Sequence, residues 1–197
     1  MAFTDNQYAV ARPTLWHLTH QENLHLIRQA GRLLPSALLD PDSVDTIRRG
    51  RRVSSGKPVL RDQDLLHPAC VELTGGWSMD EFLRDLSSRV FFWSGWHDRP
   101  VKPGRNAACR YTTTDVIIRV PFADVAVAGT PQFARCNSGA TRMQHGRRVL
   151  RGPSTFQPAT ECMYGATQVV EVTFMGAVEM PSSAEVGRWL EGSWEPL

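Results

Sequence analysis

Thr14-Leu-Trp-His-Leu-Thr19 is a short, β-leaning apolar run, and behind it Gln21–Ala30 repeats Leu24, Ile27 and Ala30 at helical spacing before Gly31. A glycine at that point ends a helix, because it takes a positive φ without cost. The opening unit therefore reads as strand, turn, helix and stop. Alternation along the strand sets His17 and Thr19 on one face, with Trp16 and Leu18 on the other.

Working outward, Asp42–Arg49 reads as a short helix and Ser54–Lys57 as a loop. Ser78 suits an N-cap for a helix over Met79–Leu86, with Asp80 and Glu81 in its first turn. Arg89-Val-Phe-Phe-Trp-Ser94 reads as a buried strand, and His97–Asn106, with two prolines and a glycine, as a loop. Asp115–Val120 reads as a strand that Asp124–Ala128 continues. Thr130–Pro158 has little periodicity and many turn residues, and a loop of that length is usually functional. Gln168–Phe174 alternates as a strand, and Ser182–Leu190 reads as a closing helix. The mixed order predicts one α+β domain over residues 1–197.

With 197 residues, 42% apolar and 21% charged, the chain can bury a core without metal or disulfide staples. Its composition excludes disordered, collagen-like and coiled-coil classes. No apolar run approaches the ~20 residues of a membrane span. Met1–Val10 carries Asp5 and no basic segment, so no secretory signal is read there and the expected location is cytoplasmic. Cys70, Cys109, Cys136 and Cys162 are widely spaced, which predicts reduced thiols and no metal site.

The net charge of +2 hides an uneven distribution. Of 22 basic residues 20 are Arg, and guanidinium forks suit phosphate and carboxylate. Arg48–Arg61 holds five Arg and one Lys without an acid, and Val125–Thr160 holds five more Arg, again without an acid. Two basic stretches in a near-neutral domain point to local anion binding, against the plainer reading of a solvated face.

Three places could carry chemistry. His17 and Thr19 form a polar pair at a strand end just before a helix, although a lone strand histidine is more often structural. Phe91-Phe92-Trp93-Ser94 is by default core packing, yet an aromatic facing a cleft can stack on a heterocycle. Glu171 is a carboxylate in an apolar strand; on an edge it needs no explanation, while facing a cleft it can stabilise positive charge at an anomeric carbon.

Their order along the chain resembles the DarT-like branch of the ADP-ribosyltransferase superfamily. The resemblance is carried by His17-Leu-Thr19 on the first strand, by Asn23-Leu24 on the helix ending at Gly31, by Val90–Ser94, and by Glu171-Val-Thr-Phe with Val178 and Pro181 behind it. It covers the first strand and helix and short pieces near positions 90 and 171.

The resemblance implies a split β-sheet core with flanking helices and NAD as co-substrate. It implies that His17 holds the adenosine-side ribose, with Thr19 and Asn23 seating the nucleotide. Phe92 or Trp93 would pack on nicotinamide, and Ser94 could stand in for the serine of another transferase branch. Glu171 would bind the nicotinamide-ribose 2′-OH and stabilise the cationic transition state. The middle position departs from the superfamily's best-known His, Tyr, Glu pattern, since Phe and Trp lack a phenol hydroxyl. Glu161 and Glu179 are fallback carboxylates should the strand register differ.

Arg142, Arg147, Arg148 and Arg151 would suit a pyrophosphate or a polynucleotide backbone, and Arg110 and Arg119 are further phosphate candidates. The expected activity is transfer of ADP-ribose to a base of DNA or RNA, toxin-like, with an antitoxin protein as implied partner and no membrane role. The alternatives are an RNA 2′-phosphotransferase, an NAD hydrolase, and a non-catalytic nucleotide- or RNA-binding module of the same fold.

Overall fold

The computed structural model describes residues 2–50, 57–61, 63, 66–111, 113–139, 143, 146–188 and 192–197. In chain order the elements are α1 (Asp5–Ala11), β1 (Thr14–His20), α2 (Leu24–Ala30), β2 (Arg32–Leu33), α3 (Ser36–Leu39), β3 (Val71–Leu73), α4 (Met79–Ser87), β4 (Arg89–Gly95) and α5 (Lys102–Arg110). They continue with β5 (Asp115–Pro121), α6 (Phe122–Ala126), β6 (Gln132–Ala134), β7 (Val149–Arg151), β8 (Glu171–Met175), β9 (Val178–Glu179), β10 (Glu185–Gly187) and β11 (Trp194–Pro196). The fold is α+β.

Seven strands form one antiparallel sheet in the order β11-β10-β5-β1-β4-β8-β6. One face carries Leu15, Phe92, Ile118, Phe133 and Val172 against Tyr8 of α1 and Phe122 of α6. The other carries Trp16, Trp93 and Ile117 under Ala107 and Ala108 of α5. A third cluster gathers Phe82, Leu83 and Leu86 of α4 with Leu66 and Phe156.

The ladder between β1 and β4 decides where a site can form. β1 pairs with β5 along seven residues, but with β4 only at Thr14↔Gly95, Leu15↔Ser94 and Trp16↔Trp93. Beyond Trp16 the two strands part. His17 Nδ1 lies 2.8 Å from the Phe91 carbonyl oxygen, so a side chain takes the acceptor that the ladder would have used. β4 meanwhile stays paired with β8 from Arg89 to Trp93.

Local signals explain most elements. A 3₁₀ turn over Gln21–Asn23 leads into α2, which ends at Gly31 with φ 63°. Ser78 and Glu81 form a capping box on α4.

Five expectations fail. Thr130–Pro158 is not one loop: it supplies β6, which pairs with β8 at the edge of the main sheet, and β7, which pairs with β3. His97–Asn106 is not all loop: α5 starts at Lys102 and carries Pro103 in its first turn, where a missing N–H costs nothing. Asp124–Ala128 does not extend a strand, because Phe122 and Val125, three apart, bury one side of a helical turn. Asp42–Arg49 holds no α-helix, only the 3₁₀ turn Pro41–Ser43. The expected closing helix gives way to β10, where Ala184 and Val186 are buried on a two-residue period and Glu185 pairs outward with Arg119 at 2.7 Å. Leu190, and residues 54–56 of the expected loop Ser54–Lys57, lie outside the described residues.

Candidate functional site

The parting of β1 and β4 opens a cavity of about 290 Å³. His17 and Thr19 line it from β1, Phe91, Phe92 and Trp93 from β4, and Glu171 from β8. His17 shares a sheet face with Leu15, while Glu171 sits across from Trp93 on the opposite face. Only where the sheet is split can side chains from both faces reach one space.

His17 is half-buried, with Nδ1 held at the Phe91 carbonyl. Burial pushes the imidazole down to about 4, with the Arg61 charge adding to it and the Phe91 carbonyl opposing. The ring is neutral at pH 7. Its Nδ1–H donates to Phe91, which leaves Nε2 as an acceptor.

Glu171 is 5% exposed. Its Oε2 accepts from Ser138 twice, from Oγ at 2.6 Å and from the backbone N–H at 2.9 Å. Among the described residues nothing donates to Oε1. Burial raises the carboxyl above its ordinary value; the two Ser138 hydrogen bonds and the Arg61 and Arg151 charges pull against that. A carboxylate held at one oxygen, in low dielectric, is suited both to stabilising a nearby cation and to accepting a proton.

Ser138 owes its position to Arg151, a buried side chain that donates from Nε to the Ser138 carbonyl and from Nη2 to the Asn137 carbonyl. Arg151 therefore supports the loop that holds Glu171 and does not reach into the cavity. Arg147 and Arg148 are exposed and lie outside the lining, and Arg142 lies outside the described residues. Ser94 is fully buried behind the sheet, where its Oγ accepts from the Tyr8 hydroxyl at 2.8 Å, and it does not line the cavity. The fallback carboxylates are elsewhere: Glu179 is exposed and faces Arg32 at 3.8 Å, and Glu161 is exposed.

Asn23 has a different task from the one its sequence suggested. Its Nδ2 donates to the Val59 carbonyl at 3.0 Å and to Thr19 Oγ1 at 3.1 Å, and its Oδ1 accepts the Val59 N–H at 2.8 Å. This pins the segment 58–61 across the cavity and brings in Arg61, whose guanidinium sits 5.1 Å over the Trp93 ring. The basic stretch Arg48–Arg61 thus contributes two lining residues, Arg48 and Arg61. Sequence reading noted their charge without assigning them to the site.

Phe92 is floor as much as wall. It is 1% exposed and stacks edge-on against Phe174 at 5.9 Å, with the His17 ring 5.6 Å away. Trp93 is 5% exposed, and its indole N–H has no partner among the described residues. Leu26, Ile27 and Ala30 of α2 with Leu33, Leu60 and Leu86 make up much of the remaining lining, and Arg32, Gln63, Arg89 and Asp115 add polar groups to it. A mostly apolar wall with a few polar groups is usual for a small-molecule cavity.

A family model described as a family of unknown function (DUF7002) matches residues 13–184. The chain belongs to the DUF7002 family. The matched span begins one residue before β1 and ends one before β10, so in this DUF7002 protein it takes in His17, Ser138, Arg151 and Glu171 together. Comparison with curated proteins gave no match. No helix among the described residues is long and apolar enough to cross a membrane, and none of their His, Cys, Asp and Glu side chains form a group of three or more that could hold a metal ion. The four cysteines are free.

Proposed function

We propose that this chain is an NAD-dependent ADP-ribosyltransferase with an ADP-ribosyltransferase-like split sheet, acting on a nucleic-acid base. The observation that carries the reading is the convergence of neutral His17 and buried Glu171 on one cavity in the split between β1 and β4.

The residues suit each part of the reaction. Nε2 of His17 accepts a ribose hydroxyl proton, which an imidazolium could not do. The Trp93 face and the Phe92 edge flank the space where nicotinamide would sit. The C–N bond to nicotinamide breaks with its electron pair leaving on the ring nitrogen, so positive charge builds on the ribosyl carbon. Glu171 is placed to bind the 2′-hydroxyl through Oε1 and to offset that charge. The acceptor nitrogen then attacks the anomeric carbon and gives its proton to Glu171 or to water. Arg61 supplies a cation for the pyrophosphate.

A nucleic-acid acceptor is supported by exposed Arg135, Arg147 and Arg148, and a toxin-like activity of this kind calls for a neutralising protein partner. The test is incubation with adenylate-labelled NAD plus DNA, RNA or cell lysate, with Glu171→Gln in parallel. Label in one polymer, lost with the variant, is the expected result. Nicotinamide release without label makes the chain an NAD hydrolase. Neither release nor label overturns the reading in favour of a binding module.

A further inference from the structure

The stretch from Arg99 to Thr114 contains four basic residues and no acid, and α5 lies within it. The helix buries Gly104, Ala107 and Ala108, and Gly104 sits so close that a Cβ would lie 2.9 Å from the Trp93 ring. Its exposed positions are Lys102, Arg105, Asn106, Cys109 and Arg110, spaced at i, i+3, i+4, i+7 and i+8 along one face.

Several other exposed arginines are paired. Arg28, Arg32, Arg84 and Arg119 each meet a carboxylate. Lys102, Arg105 and Arg110 form no ion pair among the described residues. Three solvated cations in a row repel one another, and the sequence has not balanced them. An aromatic stands at each end: Trp96, 38% exposed, precedes the helix, and Tyr111 follows it and lines the cavity.

We propose that this face of α5 is the docking track for the phosphate backbone of a single-stranded nucleic acid, leading a base past Tyr111 toward the cavity. From Lys102 to Arg110 the helix rises about 12 Å, long enough for its cations to meet successive phosphates of one strand. Tyr111, which lines the cavity, offers a stacking surface for a base that a duplex would keep covered, whereas the Trp96 ring already carries the Arg12 guanidinium at 3.9 Å. A membrane partner would need apolar side chains on the exposed face, and α5 turns its small apolar residues to the sheet instead. A protein partner would favour exposed aromatic or aliphatic anchors between the charges. The track names where the acceptor of the proposed transferase lies and rests on that reading for its catalytic meaning, but binding is measurable without NAD.

The experiment compares the full chain with Lys102→Gln/Arg105→Gln/Arg110→Gln, using a fluorescent oligothymidylate across a salt series. Loss of three phosphate contacts lowers the slope of log K against log salt by about 2, at roughly 0.7 per contact on single strands. Affinity at 0.1 M salt falls at least about tenfold. The charge-preserving variant Lys102→Arg/Arg105→Lys/Arg110→Lys retains both, and the Gln variant keeps the native thermal midpoint, which together exclude a folding defect. Unchanged affinity and slope in the Gln variant overturns the proposal. So does equal affinity of the native chain for polyglutamate of the same charge number, which would mark a generic anion surface. Binding that behaves as expected while NAD is never consumed leaves the track standing and removes only the transferase.

Discussion

Ser138 donates twice to a single oxygen of Glu171, from its hydroxyl at 2.6 Å and its backbone N–H at 2.9 Å. The two residues are 33 apart in sequence and come from a loop and a strand. This grip fixes the rotamer of the carboxylate and favours its charged form against the burial that opposes it.

Ser138→Ala removes the hydroxyl bond and keeps the backbone one. The Glu171 carboxyl then rises further, and the acidic limb of the pH–rate profile moves to higher pH. Turnover falls by about 10- to 100-fold, less than for loss of the carboxylate, because one donor remains. Ser138→Thr, which keeps the hydroxyl, restores the limb. A profile unmoved by the Ala variant would show that the hydroxyl does not hold Glu171.

The strand carrying His17 and the helix stopping at Gly31 were legible because period two and a positive-φ glycine are local signals. So was the aromatic strand Arg89–Gly95, whose buried run has no other use. Ser138 and Arg151 were not legible in their roles. Each acts through a partner distant in sequence, and Arg151 on β7 reads like any arginine in a basic stretch until its guanidinium is seen on two carbonyls. Asn23 was singled out as a nucleotide contact, yet its amide is spent on Val59, a pairing across 36 residues that no spacing rule encodes. Helix α5 was missed because Pro and Gly were weighed as breakers, although Pro103 stands in the first turn and Gly104 is needed for close packing.

Glu171→Gln abolishes transfer, with a loss of about 10²–10³ or more in rate, and also stabilises the fold at neutral pH. The native carboxyl titrates above its unfolded value, so the folded state resists the charge that the unfolded chain accepts. That cost is full above the folded pKa and vanishes below the ordinary carboxylate value of about 4.3. The variant's thermal midpoint therefore exceeds the native one at pH 8, and the gap closes towards pH 4. An equal gap at both pH values would refute the assignment of the cost to ionisation.

His17 acts on stability with the opposite sign. Its folded value of about 4 lies below the unfolded value near 6.5, so between those limits only the unfolded chain takes up the proton. Stability from this residue is complete above about pH 6.5 and drains away as pH falls, by up to about 1.4 kcal/mol per pH unit. Glu171 partly masks the slope, since its contribution to stability grows as pH falls. Denaturant unfolding of His17→Gln at pH 7 and pH 5 isolates it: the variant loses less stability on acidification than the native chain. Equal losses would mean the imidazole is not held neutral.

Asn23→Ala tests whether segment 58–61 is held for the site's benefit. Deleting the amide leaves the Val59 N–H and C=O without their partners, at a cost of about 1–3 kcal/mol if they stay buried. The chain can escape that cost by letting the segment lift, since the amide is its hydrogen-bonded link to α2 and β1 through Thr19. Arg61 then leaves the Trp93 ring, and with it goes a cation that acts on both His17 and Glu171. The expected outcome is faster tryptic cleavage at Arg61, weaker NAD binding, and a smaller loss in turnover of bound NAD. Asn23→Asp keeps the acceptor for the Val59 N–H and recovers part of the protection. Cleavage and binding both unchanged in the Ala variant would show that the segment is secured by buried Leu60 and by the Arg48 Nε–H that donates to the Arg61 carbonyl, and not by the clamp at Asn23.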